Sequence, residues 1–244
     1  MDVLFTVKSE RDQIKVIQSF LSRESGFSKK VFNYFGIDIS EFKKLSEQQK
    51  SEFIHKIVSA KYKEKLPDMQ NAVPKFQKHW DKNKDFVNAE FQKIFGVSHP
   101  DKVCRAEVNI NPVFPRYLDT WSFDIHSDVP LEKCLEVCLH EITHFLWFDK
   151  WKEVFPNWKK QDLERPSISW LFLEISVDPI FKNSAFKSIT PEQPAYDYFY
   201  KETVNNENMM EFFRKLYKEN SLEDYMKKGL CQLQNKNKVE ELCR

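Results

Sequence analysis

Apolar residues recur at helical spacing through most of the first hundred positions. Ser9 is placed to cap a first helix, and the apolar face that follows it continues to Leu21. The predicted elements are, in order, a strand at 3–7 and helices at 10–23, 29–35, 40–45, 47–64 and 69–95. The pattern therefore predicts a mainly helical N-terminal part, residues 1–100, which forms either a separate unit or part of one larger domain.

After residue 100 the apolar spacing changes from helical to alternating. Residues 107–111 and 120–126 alternate in the manner of half-buried strands, and Gly96 and Pro100 mark the boundary before them. The helices predicted beyond the strands cover 129–150, 167–182, 195–203, 207–219 and 221–235. Strands followed by a run of helices predict an α+β fold, mostly helical, with residues 101–244 as its second part.

His140, Glu141 and His144 form an H-E-x-x-H motif inside an apolar segment. On a helix, residues i and i+4 share a face, so both imidazoles can bind one ion. Two neutral histidine nitrogens at about 2.0–2.1 Å from Zn²⁺, with a carboxylate as general base, are the arrangement of zinc hydrolases. A helix with two surface histidines is the alternative. The apolar residues on both sides of the motif favour a buried helix, where polar groups need a partner.

A catalytic zinc site needs a third protein ligand, and the helix predicted at 167–182 offers one. Glu174 and Asp178 are the only ionisable groups in its long apolar run, and they are spaced i, i+4. We expect Glu174 to bind the metal and Asp178 to contact the second ring nitrogen of a liganding histidine. A partly exposed helix with two ordinary acids is the alternative, although lone buried carboxylates are rare.

The H-E-x-x-H motif followed by E-x-x-x-D resembles the gluzincin zinc metallopeptidases, the group of thermolysin. The resemblance covers these motif positions and implies His140, His144 and Glu174 as zinc ligands, Glu141 as general base and Asp178 as the outer carboxylate. It also implies one Zn²⁺ per chain. For residues 101–244 it implies a zincin-like catalytic domain with a small antiparallel sheet and an active-site helix.

The resemblance further suggests where substrate contacts lie. In this group a Tyr or His from a later segment often stabilises the oxyanion, so the candidates are Tyr196, Tyr198, Tyr200, His126 and Arg116. Tyrosines are more often core or surface packing residues, and this is the alternative for each candidate. Residues 120–126 occupy the place of the zincin edge strand, which pairs with an extended substrate. An ordinary core strand is the alternative reading.

The composition of the chain limits which partners and which cellular compartment we expect. Net charge is +1, from 38 basic and 37 acidic residues, which gives no general attraction for nucleic acid. No apolar run is long enough for a membrane helix, and the N-terminus has no signal-peptide pattern. Five cysteines without framework spacing favour a reducing compartment, so we expect a cytoplasmic protein. Cys134 and Cys138 are expected to be buried thiols rather than zinc ligands.

These features predict a zinc-dependent peptidase acting on a peptide or protein substrate. In this interpretation a water activated by zinc attacks the peptide carbonyl, and Glu141 removes its proton. One alternative is a zincin-like hydrolase of non-peptide amides or esters. The other is an inactive zinc-binding relative used for binding, against which the presence of Glu141 argues.

Overall fold

The computed structural model describes residues 1–23, 25–97 and 101–234. Pro100, at the predicted boundary, and residue 235, the end of the last predicted helix, lie outside this range. The fold is mostly helical with a small sheet, which confirms the α+β prediction. The contacts divide the chain into two compact units, the described residues of Met1–Lys84 with Pro100–Cys138 and those of Asp85–His99 with Leu139–Arg244. This division does not coincide with a boundary at residue 100.

The first unit begins with a strand and three short helices. Their bounds are Asp2–Val7 (β1), Glu10–Leu21 (α1), Gly26–Tyr34 (α2) and Ile39–Lys44 (α3). The Ser9 side chain accepts a hydrogen bond from the Asp12 N–H, so the predicted cap at the start of α1 is confirmed. Ser25 and Asp38 cap α2 and α3 in the same way.

Helix α4 runs without interruption from Glu47 to Phe95, although two helices were predicted here. Pro67 and Pro74 lie inside it, and each lacks the N–H that a helix interior normally uses. Val58 and Met69 on either side of Pro67 are completely buried. Packing on both sides of the proline therefore stabilises a helix that the local sequence alone divides.

The sheet of the first unit is mixed, and the predicted antiparallel sheet is wrong. Its strands are β1, Val103–Asn109 (β2), Arg116–Tyr117 (β3) and Ser122–His126 (β4), in the order β1-β2-β4-β3. The pairs β1–β2 and β2–β4 are parallel, and only the short pair β3–β4 is antiparallel. Alternation of apolar residues predicts a strand but not the direction of its partner, because pairing here joins distant segments.

Strand β1 forms one edge of this sheet, and side chains occupy its centre. The Gln77 amide, from α4, accepts a hydrogen bond from Phe5 N–H (3.1 Å) and donates one to Val3 C=O (3.0 Å). The neighbouring Val3 N–H donates to the Asp2 carboxylate at 2.9 Å. Val3 N–H, Val3 C=O and Phe5 N–H of this edge are thereby paired with side chains of the same unit.

The same sheet contains a buried lysine between two carboxylates. Lys8 Nζ lies 2.7 Å from Asp124 Oδ1 and 2.6 Å from Glu107 Oε2, and only 3% of the Lys8 side chain is exposed. Burial alone lowers the pKa of Lys8, but the charge of Asp124 and the hydrogen bonds to Asp124 and Glu107 outweigh it and raise the pKa. The ammonium group therefore stays charged and ties β1 to β2 and β4.

The second unit contains the part of helix Leu131–Val154 (α5) from Leu139 onwards, which carries the H-E-x-x-H motif. Three further helices follow, Ile168–Lys182 (α6), Met209–Lys218 (α7) and Leu222–Gln234 (α8). The helix predicted at 195–203 is replaced by a 3₁₀ turn at Asp197–Lys201 and a hairpin of Thr203–Val204 (β5) and Glu207–Asn208 (β6). Asn205 and Asn206 adopt positive φ at the hairpin turn, which asparagine tolerates. Among the described residues, no helix has the length and apolar character needed to cross a membrane.

Phe172 of α6 lies at the centre of an aromatic cluster in this unit. Its ring contacts those of Trp147, Trp151, Phe213 and Tyr225, with centroids 5.3 to 6.5 Å apart. Gly229 of α8 leaves the space that the ring occupies, because a Cβ at that position would lie 2.2 Å from Phe172 Cζ. Phe172 is completely buried, and protein interiors are close-packed, so the ring must shift against its neighbours to admit a methyl group.

We therefore expect Gly229→Ala to destabilise the fold by about 1–3 kcal/mol, because the added methyl overpacks the cluster. Thermal unfolding followed by circular dichroism measures the change. Gly26→Ala is the matched control, since a Cβ at Gly26 meets no atom within 4 Å and alanine favours a helix. Equal melting temperatures for Gly229→Ala and wild type would contradict the close packing of α6 and α8.

Candidate metal centre

The two motif histidines lie one turn apart on α5, as the spacing predicts. The ring centroids of His140 and His144 are 4.6 Å apart. The next turn continues with buried Phe145, Leu146 and Trp147, so the helix is apolar beyond the motif. This part of α5 is therefore held by packing, and the histidine pair rests on a rigid support.

Glu174 approaches both histidines from α6. Its Oε2 lies 3.5 Å from His140 Nε2, and its Oε1 lies 3.8 Å from His144 Nε2. Every residue of α6 from Ser169 to Phe181 is buried, so the helix fixes this carboxylate inside the unit. Ser167 caps α6 by accepting a hydrogen bond from Trp170 N–H, as the predicted start near 167 requires.

The three side chains have the donor set and separations of a metal centre. One ligand atom from each of His140, His144 and Glu174 lies within 4.8 Å of the other two. Ligand atoms about 2.0–2.1 Å from one tetrahedral ion lie about 3.4 Å apart, which is close to the two nitrogen–oxygen distances above. Direct hydrogen bonds are shorter, at about 2.7–3.2 Å. The cluster can therefore hold a divalent cation that accepts imidazole and carboxylate ligands.

The cluster is buried on one side and reaches the surface on the other. The side chains of His144 and Glu174 are 0% and 3% exposed, whereas that of His140 is 26% exposed. Glu141, between the two histidines, is also buried. Among the described residues, the cluster that could hold a metal consists of His140, His144 and Glu174. It does not include Glu141, Cys134 or Cys138. A bound ion would thus have three protein ligands and be reached from the side of His140.

Asp178 does not contact a liganding histidine, and this prediction is wrong. Its Oδ1 accepts a hydrogen bond from Arg214 Nε at 2.6 Å, and its Oδ2 accepts from Arg214 Nη2 at 2.9 Å and from Tyr200 Oη at 2.6 Å. Asp178 is completely buried, and a charged carboxylate there needs an opposite charge. The guanidinium of α7 supplies that charge with two parallel hydrogen bonds. The Asp178 bond raises the pKa of Arg214 further.

The three candidate tyrosines are placed by contacts of their own. Tyr200 donates to Asp178 and accepts from Ala195 N–H at 3.2 Å, so its hydroxyl is used in the fold. Burial and the bond to Asp178 raise the pKa of Tyr200, which keeps the phenol protonated. The rings of Tyr196 and Tyr198 stack with centroids 5.7 Å apart. This stacking contact assigns neither residue a role in chemistry.

His126 and Arg116 belong to the sheet of the first unit. His126 Nδ1 accepts a hydrogen bond from Asp128 N–H at 3.1 Å, so the neutral ring carries its proton on Nε2 and donates to Tyr34 Oη at 3.0 Å. Burial lowers the pKa of His126, which favours this neutral form. Arg116 lies in β3, the edge strand, opposite Phe123 of β4.

The strand at 120–126 is not an edge strand. The observed β4 pairs with β2 on one side and with β3 on the other, and all five of its residues are buried. The alternative of an ordinary core strand is therefore confirmed.

Arg214 is the residue of this unit that reasoning from sequence did not identify. It is four residues after Met210 and next to Phe213, both buried, so it belongs to the margin of the apolar face of α7. The sequence did contain a signal: Arg214 is a cation at the margin of an apolar face, and Asp178 is an acid in a long apolar run. Nothing in the sequence pairs these two positions specifically.

Comparison of the chain with protein-family models, with curated proteins and with solved structures finds no match in any of the three.

We expect Arg214→Gln to destabilise the fold by about 2–4 kcal/mol, because it leaves the buried Asp178 carboxylate without its countercharge. Urea denaturation measures the change in the free energy of unfolding. Lys215→Gln removes the same charge from an exposed position of the same helix and should change stability by less than about 0.5 kcal/mol. Similar losses in the two variants would show that helix charge, not the Asp178 pair, is responsible.

Proposed function

We propose that this chain is a zinc-dependent peptidase of the gluzincin type. The observation that carries the proposal is the convergence of His140, His144 and Glu174, from two helices, on one small volume. H-E-x-x-H motifs arise without function, but a third ligand of the right chemistry at the right distance is an independent requirement.

The ligand set favours zinc. Two imidazoles and one carboxylate are the protein ligands of thermolysin-type sites, in which the fourth position is open. A structural zinc site usually closes its four positions with cysteine and histidine, and this cluster contains neither a fourth ligand nor a cysteine among the described residues. When bound, zinc lowers the pKa of a coordinated water and polarises a substrate carbonyl. The partial exposure of His140 supports access of substrate from that side.

Glu141 is the residue we assign to proton transfer. Glu141 is buried and comes directly after His140 on α5. It is not one of the three residues of the cluster. In the proposed reaction it takes a proton from the water as the oxygen attacks the peptide carbonyl carbon. It then delivers that proton to the departing amide nitrogen as the C–N bond breaks. Base and ligands are thus different residues, so the two functions can be separated by substitution.

The first test of this proposal is metal content. We expect about one zinc per chain in the purified protein, and loss of zinc in His140→Ala. His140 is the most suitable ligand to replace because its partial exposure limits damage to the core. Atomic absorption measures the metal, and removal of zinc by a chelator should lower the melting temperature of wild type, since a ligand that binds only the folded state stabilises it.

The control for metal content is His55→Ala, which removes an exposed histidine outside the motif and should keep full zinc. Glu174→Gln should also lose zinc affinity, because a charged ligand becomes a neutral amide. Stoichiometric zinc in both His140→Ala and Glu174→Gln would place the metal elsewhere and end the proposal.

The second test separates catalysis from metal binding. Glu141→Gln should retain zinc and melting temperature but hydrolyse peptides about 10²–10⁴-fold more slowly, because the proton acceptor is lost. Digestion of a broad peptide library followed by mass spectrometry measures the activity. Glu132→Gln, an exposed acid in the first turn of the same helix, is the control and should cleave like wild type.

Two results would count against the proposal here. Unchanged hydrolysis in Glu141→Gln would exclude this residue as the base. Absence of cleavage by the zinc-loaded wild type would exclude a general peptidase and favour a non-peptide hydrolase or an inactive relative.

A further inference from the structure

The first unit contains a cavity unrelated to the metal ligands. Its volume is about 570 Å³, within the range of about 300–1,000 Å³ that small-molecule sites occupy. Residues of α1, α2, α3 and the start of α4 line it, together with Ser22, Arg23 and Ser25. The four elements are all helices, so side chains rather than strand edges line the cavity.

The inner surface of the cavity is apolar. Leu21, Phe32, Phe42 and Ile54 line it, and each is no more than 6% exposed. The rings of Phe32 and Phe42 pack edge to face, with centroids 5.4 Å apart. Ser28 also lines the cavity, but its hydroxyl donates to the Phe20 carbonyl and is used within the fold. This surface therefore suits a ligand portion without hydrogen-bonding groups.

Most of the charged residues that line the cavity are basic. Arg23, Lys29 and Lys43 are exposed side chains of this lining, and Lys50 is half-buried. Glu47 is the one acid among the lining residues that the structure describes, and it pairs with Lys50 at 2.7 Å. Arg23 and Lys29 form no ion pair with a described residue. The surface next to the apolar interior thus complements an anion.

These two surfaces together define the chemistry of the occupant. Backbone groups in helices are already hydrogen-bonded, so an extended peptide would find no strand to pair with. An alkyl chain suits the interior, and a carboxylate suits the guanidinium of Arg23 and the ammonium of Lys29. We propose that this cavity binds a long-chain fatty acid, with its alkyl chain against Phe32 and Phe42 and its carboxylate among the cations.

The test is calorimetric titration of the full chain with dodecanoate below its micelle concentration. We expect one saturable site, at least tenfold weaker binding of dodecan-1-ol, and more than thousandfold weaker binding of butyrate, because each lost CH₂ removes burial. The double variant Arg23→Gln/Lys29→Gln should bind dodecanoate about tenfold more weakly at low ionic strength. Arg11→Gln/Lys63→Gln removes two exposed cations that do not line the cavity and should bind like wild type.

A second variant tests the apolar part. Ile39→Glu introduces a carboxylate into the lining at the first residue of α3, where an acid is compatible with a helix, and should abolish binding. The measurement is repeated with a chelator, because a zinc centre can itself bind carboxylates, and binding should be unchanged. Loss of binding with the chelator, equal affinity for the alcohol, or association with anionic vesicles but not with dodecanoate would each overturn the proposal.

Discussion

Two carboxylates on one fully buried helix constrain the second unit. Glu174 and Asp178 lie one turn apart on α6, between Ser169 and Phe181, where every residue is buried. Charged groups in such a place raise the free energy of the folded state unless each has a partner. The two carboxylates have different partners. Arg214 and Tyr200 hydrogen-bond to Asp178, whereas the histidine pair of α5 lies next to Glu174. The surrounding elements are arranged to supply these partners.

The hydrogen bonds of Asp178 support the cluster of His140, His144 and Glu174 without including any of its three side chains. The bidentate pair ties α6 to α7, and the Tyr200 hydroxyl ties α6 to the 3₁₀ turn before the hairpin. Both bonds act one turn from Glu174, while the Phe172 cluster holds the preceding turn. The helix is therefore held on both sides of Glu174, so the position of the Glu174 carboxylate is fixed before any metal binds. Such preorganisation is what a metal ligand needs if the protein is to set the geometry of the site.

What could be predicted from sequence was local. The Ser9 cap and the histidine pair depend on spacings within a few turns of helix, and the structure has both, with Glu174 beside the histidines. The failures are non-local. The direction of pairing of β1 with β2 depends on a segment far along the chain, and the helix at Pro67 persists because Val58 and Met69 are buried. The partner of Asp178 was misassigned because i, i+4 spacing fixes a face but not what packs against it.

Gln77 has a consequence for association between molecules. Its amide offers β1 one donor and one acceptor, as a neighbouring strand would. A strand from a second molecule would have to displace this side chain before it could extend the sheet. Its first hydrogen bonds to β1 would only replace the two that Gln77 makes. A single glutamine on α4 thus opposes intermolecular β-pairing at this edge, the first step of edge-to-edge aggregation.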